Sequence, residues 1–345
     1  MGVQITELLP KKEIDINYLS ERVIAVDTPI FLYQFLTTIR QRDGTLLTDS
    51  KGNITSHLSG LFFRTMKLIE NNIKPIYVFD GMPPELKNAE RERRAEQKRS
   101  AEMLYERAVE EEDIDGMRKY ASRTTKITKD MITDAKELIE ILGFPILDAK
   151  SEAEAQASYL VKNGDAFGVA SQDVDSLMFG AERLIRNLSV FGKRKKPNKF
   201  AFERINPECI TLIETLETLS INHDQFIVLC MLVGTDYNTN GIKGIGPKNA
   251  LKLVKKHNTN FDALFDEVKW AESFDINWQE IFELIKNMPV TEKYKLTWNT
   301  IDDEKLIKFL VDKHDFSEER IKSALEKIEE EKKNKVQKGL GEFFD

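Results

Sequence analysis

Three stretches of this chain share one form: an apolar, β-rich run that stops abruptly at an aspartate. They are RVIAVD (22–27), PIYVFD (75–80) and AFGVASQD (166–173). Continuous apolar runs of this length suit strands buried on both faces. Long helical patterns separate them, such as SHLSGLFFRTMKLIENN (56–72) and KDMITDAKELIEIL (129–142). Alternation of this kind predicts an α/β domain with a mainly parallel sheet. Open parallel sheets bind ligands outside the carboxyl ends of their strands. Asp27, Asp80 and Asp173 fall at such ends and are expected to gather along one edge. Each alone reads equally well as a turn residue or helix N-cap. Three in one chain, all ending core strands, argue for more than capping.

Four more acids join them. SEAEAQA supplies Glu152 and Glu154, SQDVDSLMFG adds Asp175, and MLVGTDYN gives Asp236. Locally, Ser151 and Glu154 also fit a capping box at the start of a helix. Seven carboxylates on one edge cannot all ionise freely, because two unit charges ~4 Å apart repel by ~4 kcal/mol at an effective dielectric of 20. Either some stay protonated or cations balance them. Oxygen ligands favour Mg²⁺ or Mn²⁺ over zinc, and none of the four histidines falls in these segments. The seven acids equal the formal net charge of −7 in magnitude. Two Mg²⁺ ions on such a platform suit in-line displacement at phosphorus. Lys87 and Arg94, seven residues apart, share a helical face from which they could clamp a phosphate. VFDGMPPE also looks like a phosphatase motif of the haloacid-dehalogenase type. That motif requires a second acid two residues on, where Met82 stands, and the reading is set aside.

The negative average hides three basic clusters: Lys87 to Arg99, GKRKKPNK (192–199) and Lys243 to Lys256. Local fields decide whether a phosphate backbone is attracted. GIKGIGPKNALKLV (241–254) has the form of a helix–hairpin–helix. Gly244 and Gly246 permit a tight turn with exposed N–H groups, and Pro247 suits the first turn of the next helix. Lys243 and Lys248 add charge to that anion site. Such contacts read phosphates rather than bases. Residues 82–128 are dominated by charge and read as one or two solvated helices rising from the acidic edge. The stretch 201–315 reads as helical.

No apolar run is long enough to span a bilayer, and the first residues lack the apolar core of a signal peptide, so no membrane partner and a cytoplasmic location are expected. MGVQIT fits a loose myristoylation pattern, but one acyl chain anchors only marginally. Cys209 and Cys230 read as buried thiols.

Taken together, the blocks MGVQ, VDTPIFLYQFL, TSHLSGLFFRT, PIYVFDGMPPELK, SEAEAQA, SQDVDSLMFG, LVGTDYN and IKGIGPK resemble, in order, those of archaeal-type flap endonucleases of the structure-specific 5′-nuclease superfamily. The resemblance implies a PIN-like nuclease domain over 1–325, with a helical arch at about 82–128 and the hairpin element at about 230–260. It implies cleavage of 5′ flaps on branched DNA in replication, including Okazaki fragment maturation, and in repair, with a weaker 5′→3′ exonuclease activity. Asp27, Asp80, Glu152, Glu154, Asp173, Asp175 and Asp236 would hold two Mg²⁺ ions. Lys87 and Arg94 would contact the scissile phosphate, Tyr33 would stack on a nearby base, and Gly2 would lie close to the junction. The hairpin would hold the downstream duplex, with a K⁺ ion on its carbonyls. Met82 stands where the family often has Lys, and the pI near 5.5 is low for a DNA-binding enzyme. A junction-resolving or duplex-exonuclease relative, and a non-catalytic junction-binding protein, are the alternative readings.

The end of the chain adds a partner. Gln337, Leu340, Phe343 and Phe344 in QKGLGEFF have the spacing of a sliding-clamp-binding motif, carried on a charged linker from residue 326. A terminal core helix would fit the same spacing, though Gly339 and Gly341 each cost about 1 kcal/mol in a helix interior. The expected protein is a monomer that meets branched DNA and a clamp.

Overall fold

In the computed structural model the described residues are 3–41, 43–111, 113–121, 123–195 and 202–341. Nine strands form among them: β1 (Lys12–Glu13), β2 (Val23–Asp27), β3 (Lys74–Phe79), β4 (Ile146–Asp148), β5 (Gly168–Ala170), β6 (Arg183–Arg186), β7 (Gly192–Lys195), β8 (Phe202–Ile205) and β9 (Glu208–Thr211). Seven of them make one sheet in the order β1-β9-β6-β5-β2-β3-β4. The five strands from β6 to β4 are mutually parallel, and β9 and β1 add an antiparallel edge. β7 and β8 pair as a separate hairpin, so the segment after 201 opens with strands where a helical reading was expected.

The apolar runs are buried on both faces, as their lack of alternation implies. Ile24, Val26, Tyr77 and Phe79 enter one core with the helices Thr28–Thr38, Ser56–Glu70 and Lys129–Ile141. Ala25, Ile76 and Val78 point the other way, against the helix Ala153–Lys162. A third core gathers around His223–Val233, whose residues Phe226 to Leu232 are all buried, and takes in the helices Pro247–His257, Phe261–Glu267 and Trp278–Lys286.

The chain leaves β2 toward β3 and β4 and returns to its other side at β5. That reversal opens a crevice at the carboxyl ends of the central strands. Asp27 is the last residue of β2, Asp80 follows β3 directly, and Asp173 follows β5. The 82–128 segment forms the helices Asn88–Glu110 and Ile114–Ala121, rising from that edge. In the longer one only Glu90, Ala101 and Ala108 are buried, so its charge-rich sequence is met by solvent.

At the hairpin, Pro247 opens the helix Pro247–His257 with Gly246 as N-cap. Gly244 takes φ +84°, a left-handed conformation that a side chain would strain. The last helix, Glu318–Gly341, packs Ile321 and Ile328 into the core and ion-pairs Lys327 with Glu70 at 3.1 Å. It continues through the segment expected to be a linker, carrying Gln337 and Leu340 and including Gly339. Phe343, Phe344 and Gly2 lie outside the described residues. Among the described residues no helix is long and apolar enough to cross a membrane.

Candidate metal centre and phosphate clamp

The site is assembled from strand ends, two helix starts and one turn. Asp27 is 4% exposed and caps the helix it precedes, accepting from the Ile30 N–H at 3.4 Å. The capping reading and the site reading therefore hold together. Its other oxygen lies 3.0 Å from Ser171 Oγ, which is also 3.2 Å from Glu154 Oε1. A hydroxyl has one proton to give, so it serves two acids fully only when one of them carries a proton. Burial, followed by repulsion from Asp80, pushes the Asp27 carboxyl up to about 8. Burial and then Asp175 hold Glu154 well above the ordinary range. Burial and then Asp173 push Asp175 up to about 7. Asp80 is raised by burial, while the Ala153 N–H donates to it at 2.8 Å.

That last bond corrects the expected capping box. The helix starts at Ala153 with Glu152 as N-cap, Asp80 takes the free N–H, and the buried Ser151 hydroxyl has no partner. Glu152 caps no N–H with its side chain and, though buried, turns it to the arch. Its Oε1 accepts from Lys87 Nζ at 2.7 Å, and the same ammonium lies 3.0 Å from Asp236 Oδ2. Arg94 Nη2 donates to Asp236 Oδ1 at 2.6 Å. The two basic residues at the base of the arch thus reach the acids directly. Glu152 and Asp236 hold the Lys87 pKa above its ordinary value against the opposing effect of burial.

All seven acids belong to this one edge, linked by these contacts and by mutual repulsion. Among the described residues, however, no three His, Cys, Asp or Glu side chains converge in ligating geometry. Their oxygens are engaged instead by Lys87, Arg94, Ser171 and the N–H groups of Val3 and Ala153. The donor set fits hard divalent cations. Its oxygens carry no competing imidazole or thiolate, and ions would offset the burial that raises four of the seven pKa values and relieve the mutual repulsion that adds to it at Asp27, Glu154 and Asp175.

The surroundings fit a polymeric anion. Tyr33 is 45% exposed on the helix that Asp27 caps. Lys243, Gly244, Gly246 and Lys248 are exposed on the hairpin, and a Cβ at either glycine would meet nothing within 4 Å. These glycines leave open backbone rather than serve internal packing.

Comparison with known proteins decides the family. Residues 1–101 match the XPG N-terminal domain and residues 143–236 the XPG I-region. The chain is 50% identical to Flap endonuclease 1 of Pyrococcus abyssi over all of its own length and 98% of the relative's. The chain belongs to the flap endonuclease family. Flap endonuclease 1 of Pyrococcus furiosus is 49% identical over 100% of this chain and 99% of the relative. The solved flap endonuclease-1 from Methanococcus jannaschii is 41% identical, with a TM-score of 0.75 over 97% of this chain and 100% of that one. The catalytic core of Rad2 in complex with DNA substrate shares the fold at 22% identity and a TM-score of 0.71, over 95% of this chain and 100% of that one. As a flap endonuclease, the protein is a metal-dependent DNA hydrolase.

Four contributors to the site of this flap endonuclease escape sequence reasoning. Val3, Ser171 and Tyr237 lie inside recognised blocks without a role read for them, and Glu90 lies in none. Val3 donates its backbone N–H to Asp175 at 2.8 Å, which brings residue 3 against the acids. Tyr237 is buried beside Asp236, its hydroxyl pKa pushed up by burial and by Glu152. Its adjacency to Asp236 in GTDYN was the signal available for it.

Proposed function

We propose that this flap endonuclease cleaves the phosphodiester where a 5′ single-stranded flap meets duplex DNA, during replication, including Okazaki fragment maturation, and repair. A weaker 5′→3′ exonuclease activity would use the same centre. The observation that carries the reading is the cluster of seven acids whose outer members, Glu152 and Asp236, are ion-paired to Lys87 and Arg94 at the base of the arch. Asp27, Asp80, Glu152, Glu154, Asp173, Asp175 and Asp236 would hold two Mg²⁺ ions, with Mn²⁺ as a substitute. Such ions supply an activated water and neutralise charge developing on the phosphoryl oxygens. Lys87 and Arg94 exchange their carboxylate partners for the scissile phosphate when DNA arrives, which keeps their charge balanced in both states. Tyr33 offers a ring for stacking, which tolerates any base sequence. The hairpin grips the downstream duplex through Lys243, Lys248 and the open backbone at Gly244 and Gly246, with K⁺ on its carbonyls. Gly2 lies near the junction in this reading. The enzyme acts as a cytoplasmic monomer and meets a sliding clamp through Gln337, Leu340, Phe343 and Phe344.

The test is cleavage of matched 5′-flap, four-way-junction and blunt-duplex DNAs with Mg²⁺. Preference for the flap is expected. Preference for the four-way junction would transfer the chain to a junction-resolving role.

A further inference from the structure

Glu90 is a carboxylate only 3% exposed in a helix otherwise given over to solvent. It lies in the first turn of Asn88–Glu110, where an acid is ordinarily explained by the helix dipole. Its partners go well beyond that explanation. Arg93 donates to it through Nε and Nη2, both at 2.7 Å, and Arg94 through Nε at 2.5 Å. The Thr239 hydroxyl donates at 2.9 Å from the turn that carries Asp236, 149 residues away in sequence. The bidentate pair with Arg93 balances the charge of Glu90. Arg94 therefore gives up only its Nε–H, and its Nη2 edge stays directed at Asp236, 2.6 Å away. These bonds hold the Glu90 carboxyl at about 2, well below its ordinary range.

We propose that Glu90 is a positioning residue for cleavage: it fixes the guanidinium plane of Arg94 toward the reacting centre and ties the base of the arch to the 235–240 turn. Arg94 has a long stem with many rotamers, and unheld it would settle onto whichever acid of the cluster lay nearest. Gripping Nε selects one edge for the incoming phosphate before DNA arrives, so less order has to be imposed at the moment of reaction. The proposal rests on the phosphate role assigned to Arg94 above.

The test combines kinetics with a measurement that needs no activity. In the full chain, Glu90→Gln is expected to slow single-turnover flap cleavage roughly ten- to a hundredfold, as misplacement of a reacting group does. Affinity for a flap DNA in Ca²⁺ should change less than about threefold, because the phosphate contacts at the hairpin remain. In an Arg94→Ala background the same substitution should add less than about twofold, since the two residues act as a unit. Equal slowing in both backgrounds, or an unchanged rate, would overturn the proposal. In DNA-free wild type, the Arg94 Nε–H should give a downfield, slowly exchanging NMR signal, identified by its loss in Arg94→Lys. A rapidly exchanging Arg94 Nε–H would also overturn it, whether or not Glu90→Gln folds. A wild type that cleaves no flap would instead sink the proposed function and leave this signal to judge Glu90's hold on Arg94.

Discussion

At the scale of single residues, the centre is a set of acids in a tension that the DNA-free protein resolves with its own cations. Lys87 occupies the position between Glu152 and Asp236 where a positive charge is most wanted. Removing it should improve metal binding in the absence of DNA. Lys87→Ala is expected to tighten Mg²⁺ affinity by roughly tenfold in calorimetry, about 1.4 kcal/mol, while slowing cleavage; weaker metal binding would show that Lys87 does not compete. Asp173 is only partly buried and has few protein partners, so it is the acid most easily removed without structural damage. Asp173→Ala should abolish cleavage and leave flap binding nearly intact, and unchanged turnover with Mg²⁺ would sink the site assignment.

At the scale of elements, two pieces carry predictions of their own. In the hairpin, Gly246 has an ordinary backbone (φ −87°) and open space where a Cβ would stand. Gly246→Ala should leave the melting temperature within about 2 °C of wild type, as expected for a change well under 1 kcal/mol. It should nonetheless weaken duplex binding several-fold if the phosphate backbone approaches that N–H; full affinity by fluorescence anisotropy would exclude close approach. The second piece is the loop around Asp49, fastened to the segment after Lys313. Ser50 donates its N–H to Asp315 at 2.6 Å, and His314 lies 3.9 Å from Asp49 and 3.8 Å from Asp134. Behind it His57 is 1% exposed, neither ring nitrogen has a partner, and burial lowers its pKa to about 4. The sign follows from linkage: the unfolded state binds a proton near pH 6.5 that the folded state refuses until about 4. His57 therefore contributes stability above pH 6.5 that is lost as pH falls toward 4, up to about 3 kcal/mol from a shift of this size. Urea unfolding at pH 7 and pH 4.5 should show a smaller loss in His57→Leu than in wild type. Equal losses would mean that His57 is protonated in the fold.

At the scale of the whole molecule, a chain with net charge −7 works on a polyanion because its charges are sorted. Acids converge at the strand ends, and the exposed lysines of the hairpin stand apart from them. The last helix runs to Gly341 and carries the first two residues of the proposed clamp-binding motif, Gln337 and Leu340. Deleting 337–345 should leave intrinsic cleavage intact and remove stimulation by a sliding clamp, and equal stimulation without the tail would count against that partner.

By itself the sequence determined the parallel core, the acids at its strand ends, the solvated arch and the open hairpin. These are written locally: an unbroken apolar run is a strand buried twice, and an acid ending it must sit at the sheet's carboxyl edge. The tertiary structure alone decided which partner each acid takes. Ser171 stands between Asp27 and Glu154, Asp80 displaces the Ser151 cap, and Val3 reaches Asp175 across 172 residues. Glu90 looked like one more solvated acid among many and is instead buried against Thr239. Hydrogen bonds of a few ångströms between residues far apart in the chain leave no periodicity to read; only folding brings their donors and acceptors together.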